Sequence, residues 1–252
     1  MLSRRQFLEK LIIGTVACGL GGVWTKEINA ANASPIPVLA YHRVGATTDP
    51  LTVSTEKFCR DLEALKKHGY STISLLDLKN SIYGQGHIKL PAKPVLITFD
   101  DGYLDNYENA FASLCKMNMV ATFYVITGMF GYENRLSESH IKEMQKAGMD
   151  FGSHTVSHQP LGKLQEETAR SELYYSKRHL ESILGTEVSS IAYPRGSYNE
   201  DTIRIANELN YAVAFTVNQG ICSNSSAKLL LPRIPVFRYT YDVISEINKQ
   251  SA

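Results

Sequence analysis

The chain has 252 residues, of which 44% are hydrophobic and 20% are charged, and its formal net charge is +1. Such a composition indicates a globular protein with a sizeable core, and the near-neutral charge argues against nucleic acid or an anionic membrane as the main partner. Three of the four cysteines, Cys59, Cys115 and Cys222, lie after residue 33, and an odd count is not a disulfide framework.

The first 33 residues have the pattern of an export signal. Arg4 and Arg5 precede an apolar run over residues 11–23, which is typical of a twin-arginine signal. Small residues permit cleavage after Ala30 or after Ala33. We therefore predict a signal over residues 1–33, one domain over residues 34–252, and an exported protein that is periplasmic or extracellular. A lipoprotein anchor through Cys18 is a weaker alternative, and the apolar run is too short for a comfortable membrane span.

Strand and helix patterns alternate along the remaining chain. Short apolar segments predict strands at residues 38–42, 71–74, 95–99, 121–126, 150–153, 191–193 and 212–216. Amphipathic segments predict helices at residues 55–68, 105–117, 137–147, 165–184 and 199–209, the second with Asp105 as its N-cap. This alternation predicts an α/β fold with a mainly parallel sheet, either open and doubly wound or closed into a barrel.

Two adjacent carboxylates, Asp100 and Asp101, follow the apolar run of residues 94–97. Acidic residues at the end of a buried strand suit a metal ion together with a catalytic base. Because Asp-Asp-Gly is also a turn composition, this segment by itself fits a surface turn equally well.

His154 and His158 follow the predicted strand at residues 150–153 and lie four residues apart. Two imidazoles and one carboxylate make up the three protein ligands of a catalytic zinc site, which leaves a position open for water. Nickel, cobalt and iron suit the same ligands, so the metal is a divalent ion for which zinc is the first expectation. The histidine pair alone would fit two surface residues, but with Asp100 and Asp101 it favours a metal site.

These two segments resemble the motifs of the polysaccharide deacetylase family, also called the NodB-homology domain. Residues 98–101 read Thr-Phe-Asp-Asp, and residues 154–158 read His-Thr-Val-Ser-His. The resemblance implies a distorted (β/α) barrel of seven strands in a single domain, and a metal-dependent hydrolase that removes acetyl groups from sugars. It also implies that Asp100 is the general base and that Asp101, His154 and His158 bind the metal.

Two further segments, residues 37–44 and 191–199, resemble the subgroup that acts on poly-N-acetylglucosamine exopolysaccharide. This similarity makes His42 the candidate general acid, although a strand cap bonded to backbone explains that histidine equally well. It also suggests Arg195 as a substrate-binding residue. Aromatic rings that follow glycine-containing loops add Tyr103 and Tyr198 to that set.

The chain departs from the family pattern in two places. Ala192 stands where many members have an arginine that orients the base. Residues 231–235, Leu-Pro-Arg-Ile-Pro, stand where a Leu-x-His motif normally provides the general acid.

The sequence thus predicts an N-deacetylase for a β-linked N-acetylglucosamine polysaccharide. We expect a monomer with no nucleic-acid partner and no membrane span after signal removal. The alternatives are a deacetylase of peptidoglycan, chitin or O-acetylated hemicellulose, or an inactive glycan-binding protein.

Overall fold

The structure is a computed structural model that describes residues 35–83 and 90–251. The predicted export signal and Cys18 lie outside the described residues. Across the two described segments, no helix is long and apolar enough to cross a membrane.

Ten strands form the framework of the described chain. They are Val38–Tyr41 (β1), Arg43–Val44 (β2), Thr52–Val53 (β3), Ser71–Thr72 (β4), Pro94–Phe99 (β5), Thr122–Val125 (β6), Asp150–Ser153 (β7), Ser190–Ala192 (β8), Val213–Phe215 (β9) and Ile234–Pro235 (β10). Seven of them pair side by side in the order β10-β1-β5-β6-β7-β8-β9, and every pair is parallel. The strands β2 and β3 form a separate small ribbon.

The sheet curls into the distorted (β/α) barrel that the sequence predicts. The segment that leads into β10 also contacts β9, because Thr216 N donates to Leu231 O at 2.9 Å and Leu231 N donates to Ala214 O at 2.8 Å. The count of seven strands is confirmed, but the membership differs from the prediction. The predicted strand at residues 71–74 pairs only with the start of β5, and β10 is the seventh strand of the series. The sequence did not predict β10, because a two-residue strand has no detectable alternation and its proline argues against a strand.

Seven α-helices surround the sheet in the described residues. They are Thr55–Lys67 (α1), Leu75–Tyr83 (α2), Ala112–Met117 (α3), Glu138–Lys146 (α4), Glu166–Leu184 (α5), Glu200–Glu208 (α6) and Val243–Ser251 (α7). The five predicted helices are present, and the sequence prediction missed α2 and α7. Side chains of Ser54, Ser137 and Asn199 cap α1, α4 and α6 by accepting hydrogen bonds from first-turn N–H groups.

The prediction that Asp105 caps a helix is wrong. The segment Asn106–Phe111 that leads into α3 is π-helical, and Asp105 itself has helical backbone angles with no capping hydrogen bond from its side chain. Its carboxylate instead accepts from Arg43 Nε at 2.7 Å and from Val44 N at 3.3 Å. A tertiary ion pair has therefore replaced the local cap.

Alternate side chains of the central strands pack into two separate apolar layers. Phe99 and Phe123 face the helices, and their rings stack with centroids 4.8 Å apart. Leu96 and Tyr124 belong to the second layer, where Tyr124 contacts Phe215 with ring centroids 5.6 Å apart. Because successive residues of a strand point to opposite faces, both layers follow from the sequence of β5 and β6.

We predict that Gly152→Ala destabilises the protein by about 2–3 kcal/mol, the cost of overpacking a filled core. A Cβ at Gly152 would lie 2.2 Å from Tyr124 Cε1 and 2.6 Å from Ser190 Oγ. Urea unfolding followed by circular dichroism measures the change. Gly45→Ala is the matched control, because its Cβ would meet its nearest atom, Asn109 Nδ2, at an ordinary 3.7 Å. Equal unfolding free energies for the two variants would contradict the packing of β7 against β6.

Candidate active site and metal centre

Six of the eight predicted site residues line one cavity of about 400 Å³ at the carboxyl ends of the strands. Parallel strands bring their carboxyl ends to the same rim, so loops distant in sequence meet there. His42 follows β1, and Asp100 and Asp101 follow β5. The remaining three, His154, His158 and Arg195, come from the loops after β7 and β8.

Asp101, His154 and His158 place three ligand atoms together. Asp101 Oδ1 lies 3.3 Å from His154 Nε2 and 3.3 Å from His158 Nε2. The ligand atoms of the three residues all lie within 4.8 Å of one another. One carboxylate oxygen that faces two imidazole nitrogens at equal distances is an arrangement that a single cation between them satisfies.

The other ring nitrogen of His154 fixes its orientation. His154 Nδ1 lies 2.7 Å from Ala192 O, and as the donor to that carbonyl it leaves Nε2 free to act as a ligand. Burial disfavours the charged ring, but Asp100 and Asp101 outweigh burial and raise the pKa of His154. The same negative potential favours a bound cation. Burial and the neighbouring His154 lower the pKa of His158 to about 4, so its ring is neutral and able to ligate at neutral pH.

The loop between the two histidines is held in a left-handed conformation, with φ of 67° at Thr155 and 59° at His158. Non-glycine residues adopt such angles at a cost of about 1–3 kcal/mol each, which surrounding contacts must offset. Here the buried Glu172 carboxylate of α5 accepts from Val156 N at 2.9 Å, from Ser157 N at 2.8 Å and from Ser157 Oγ at 2.6 Å. Glu172 therefore anchors the loop that presents both imidazoles.

Asp101 is strained in a similar way, with φ of 74°, and Gly102 follows at 64°. The turn lets Asp101 aim its carboxylate across the rim towards the histidines, while Arg135 Nη1 donates to the Asp101 carbonyl at 2.8 Å. Backbone strain at Asp101, a predicted metal-binding residue, indicates a functional constraint on this turn.

Asp100 makes the strongest ion pair of the site with Arg233, a residue to which the sequence prediction gave no role. Arg233 Nη1 donates to Asp100 Oδ1 at 2.8 Å and Nη2 donates to Oδ2 at 2.7 Å, and each residue is only 3% exposed. Burial alone would raise the pKa of Asp100, but the Arg233 guanidinium outweighs it and holds that pKa well below its usual range. The sequence feature that could have predicted this pair is an arginine inside the apolar run of residues 229–236, since a buried guanidinium requires a carboxylate partner.

His42 is half-buried at the same rim, and its buried Nδ1 has no hydrogen-bond partner within the described part of the chain. Burial lowers the pKa of His42, while the charges of Asp100 and Asp101 act in the opposite direction. A ring nitrogen without a structural partner in a catalytic cavity is available for proton transfer.

Arg195 lies on the cavity wall, whereas Tyr103 and Tyr198 are not among the residues that line it. The ring of Tyr103 lies under two guanidinium groups, with Arg135 Cζ 4.0 Å and Arg43 Cζ 4.5 Å from its centroid. Tyr198 contacts Tyr193, which does line the cavity, with ring centroids 5.6 Å apart. Substrate binding by these residues stays a prediction.

A family model described as polysaccharide deacetylase matches residues 87–214. The chain is 32% identical over 209 residues to the Bacillus subtilis protein YxkH, which bears the name of the same family; the match covers 83% of this chain and 74% of that protein. It is 30% identical over 197 residues to the poly-β-1,6-N-acetyl-D-glucosamine N-deacetylase of Staphylococcus aureus, covering 73% of this chain and 67% of the relative.

Solved structures give the same result. The Streptococcus pyogenes deacetylase PplD, in complex with acetate, superimposes with a TM-score of 0.81 at 31% identity, over 86% of this chain and 99% of PplD. IcaB from Ammonifex degensii superimposes with a TM-score of 0.78 at 27% identity, over 87% of this chain and 97% of IcaB. The motifs, the barrel and these relatives agree, and the chain belongs to the polysaccharide deacetylase family.

Proposed function

We propose that this protein is a metal-dependent hydrolase that removes N-acetyl groups from a β-linked N-acetylglucosamine polysaccharide. The observation that carries the proposal is the Asp101–His154–His158 cluster, which lies beside an ionised Asp100 in one cavity. The S. aureus relative supports the substrate class, and the acetate bound to PplD is the product that such a reaction releases.

Asp101, His154 and His158 would hold the divalent ion, with zinc as the first expectation. Such an ion supplies Lewis acidity towards the acetyl carbonyl and towards a water molecule. Two imidazoles and one carboxylate suit it. Asp101 Oδ1 lies 3.3 Å from each imidazole nitrogen and has no hydrogen-bond partner among residues 35–83 and 90–251.

The chain's own residues would handle the protons. Asp100 would accept the proton of the attacking water through a carboxylate oxygen, and Arg233 keeps it ionised for that task. His42 in its protonated form would donate a proton to the departing amine, which is a poor leaving group unless it is protonated. Arg195 would contact the sugar at the cavity wall, where a nearby backbone N–H would complete the oxyanion pocket.

The same proposal includes an exported protein, periplasmic or extracellular, whose catalytic domain spans residues 34–252 and acts as a monomer. Peptidoglycan, chitin and O-acetylated hemicellulose stay as substrate alternatives, because the same chemistry cleaves esters and amides. The buried Asp100–Arg233 pair counts against an inactive glycan-binding protein, since a binding protein needs no ionised base beneath its pocket.

The first test compares metal-loaded protein with its Asp100→Asn variant on a β-1,6-linked N-acetylglucosamine oligomer, with free amine as the readout. We expect turnover by the wild type and a loss of about 10²-fold or more in the variant, the usual contribution of a general base. Asp201→Asn, which removes a half-exposed carboxylate on α6, should retain activity. Absence of turnover on this oligomer, on β-1,4-linked oligomers and on peptidoglycan, with metal bound, would favour the binding protein.

Arg233→Met should move the acidic limb of the kcat/KM profile to higher pH. The guanidinium lowers the pKa of Asp100, so without it the base binds its proton at a higher pH and activity falls earlier on acidification. Arg233→Lys keeps the charge and should shift the limb less. Circular dichroism must show that the variants are folded, because an unpaired buried carboxylate costs about 3–5 kcal/mol. An unchanged acidic limb in a folded Arg233→Met protein would contradict this role.

His42→Ala should keep a full equivalent of metal and lose about 10²–10³-fold in kcat, because it removes the proton donor and leaves the three ligands intact. Metal content by elemental analysis and amine release by colorimetry give the two readouts. Near-normal turnover by metal-loaded His42→Ala would exclude His42 as the acid, whereas metal loss would indicate a role in building the site.

A further inference from the structure

An aromatic surface extends from the catalytic cavity to the outside of the barrel. Phe237, two residues after β10, lines the cavity. The ring of Tyr239 stacks on Phe237 with centroids 5.2 Å apart and an interplanar angle of 25°, yet Tyr239 is 74% exposed. The proposed chemistry uses neither ring.

The turn that carries Tyr239 is fixed by hydrogen bonds. Phe237 N donates to Thr240 Oγ1 at 2.9 Å, and Thr240 N donates back to the Phe237 carbonyl at 3.0 Å. Between them, Arg238 N donates to Pro50 O at 2.9 Å and Arg238 Nη1 donates to Thr47 O at 2.8 Å. The backbone that carries the exposed ring is therefore fixed before any ligand arrives, which reduces the entropic cost of binding to that ring.

The cavity rim near this turn is suited to a flat, partly apolar ligand. Val217 lines the cavity and is 58% exposed, and Leu51, Pro235 and Phe237 add further apolar wall. Arg195 and Gln219 are exposed polar residues of the same lining. A site with aromatic surface and few polar groups matches the two kinds of surface that a pyranose ring presents, C–H bonds on its faces and hydroxyls around its edge.

We propose that Phe237 and Tyr239 form a stacking platform for the sugar unit adjacent to the one that is deacetylated. This inference rests on the proposed function and adds that the substrate is a chain of several units. While one acetamide group lies at Asp100, the C–H face of the neighbouring β-linked pyranose packs on the electron-rich face of Tyr239.

The kinetic test compares a pentameric β-1,6-linked N-acetylglucosamine oligomer with a small aryl acetate that occupies only the cavity. Tyr239→Ala should lower kcat/KM on the pentamer about tenfold, mainly by raising KM. On the aryl acetate the loss in kcat/KM should be smaller by a factor of about three or more. Tyr239→Phe keeps the ring and should retain most of the activity. The matched control is Tyr175→Ala, an exposed tyrosine that pairs with Tyr174 on α5, and it should change neither substrate. Equal losses on both substrates, or none on the pentamer, would overturn the platform.

Direct binding separates this proposal from the proposed reaction. Isothermal titration of the pentamer into metal-loaded Asp100→Asn protein, with and without Tyr239→Ala, measures affinity without turnover. A severalfold weaker affinity on loss of the ring supports the platform even if the wild type deacetylates no tested polymer. Unchanged affinity, together with normal wild-type turnover, would refute the platform and leave the deacetylase standing.

Discussion

The bidentate ion pair between Arg233 and Asp100 connects the chemistry of this site to the closure of its barrel. Arg233 also donates from Nε to Thr216 O at 3.2 Å, so it links the end of β5 to the segments that follow β9 and precede β10. Two charges that are each 3% exposed are stable only as a pair, because removal of either leaves the other buried without compensation. The fold thus depends on the same interaction that holds the pKa of Asp100 below its usual range.

The candidate metal centre depends on a different feature, which is backbone strain offset by packing. Asp101, Thr155 and His158 have left-handed backbone angles that favour glycine, and the neighbouring contacts hold them there. Glu172 satisfies two N–H groups and one hydroxyl of the loop between the histidines, and Ala192 O orients His154. Contacts within the protein fix a site built in this way before an ion or substrate binds, which suits the metal-dependent hydrolase proposed above.

Sequence patterns predicted most of this architecture and part of the site. The seven strand segments and five helices followed from apolar periodicity, and Asp100, Asp101, His154 and His158 followed from paired motifs at strand ends. The errors have physical causes. Asp105 looked like a helix cap because its type favours that position, but Arg43, distant in sequence, binds its carboxylate instead. The two-residue strand β10 carries no periodic signal, and its proline argues against a strand.

Apolar patterns in the chain were enough to locate the strand ends and the residue types that stand there, because the alternation of side chains along a strand is a local property. Through their resemblance to the family motifs, these residues predicted a general base, three candidate ligands and the class of reaction they suit. The partner of Asp100 follows from the three-dimensional fold, since Arg233 and Asp100 are 133 residues apart and meet because the barrel curls. The fold also determines that Arg195 lies on the cavity wall, that Tyr103 lies beneath two guanidinium groups, and that Phe237 and Tyr239 lie at the rim. Contacts between distant segments depend on how strands pack and close, and no short stretch of residues encodes that geometry.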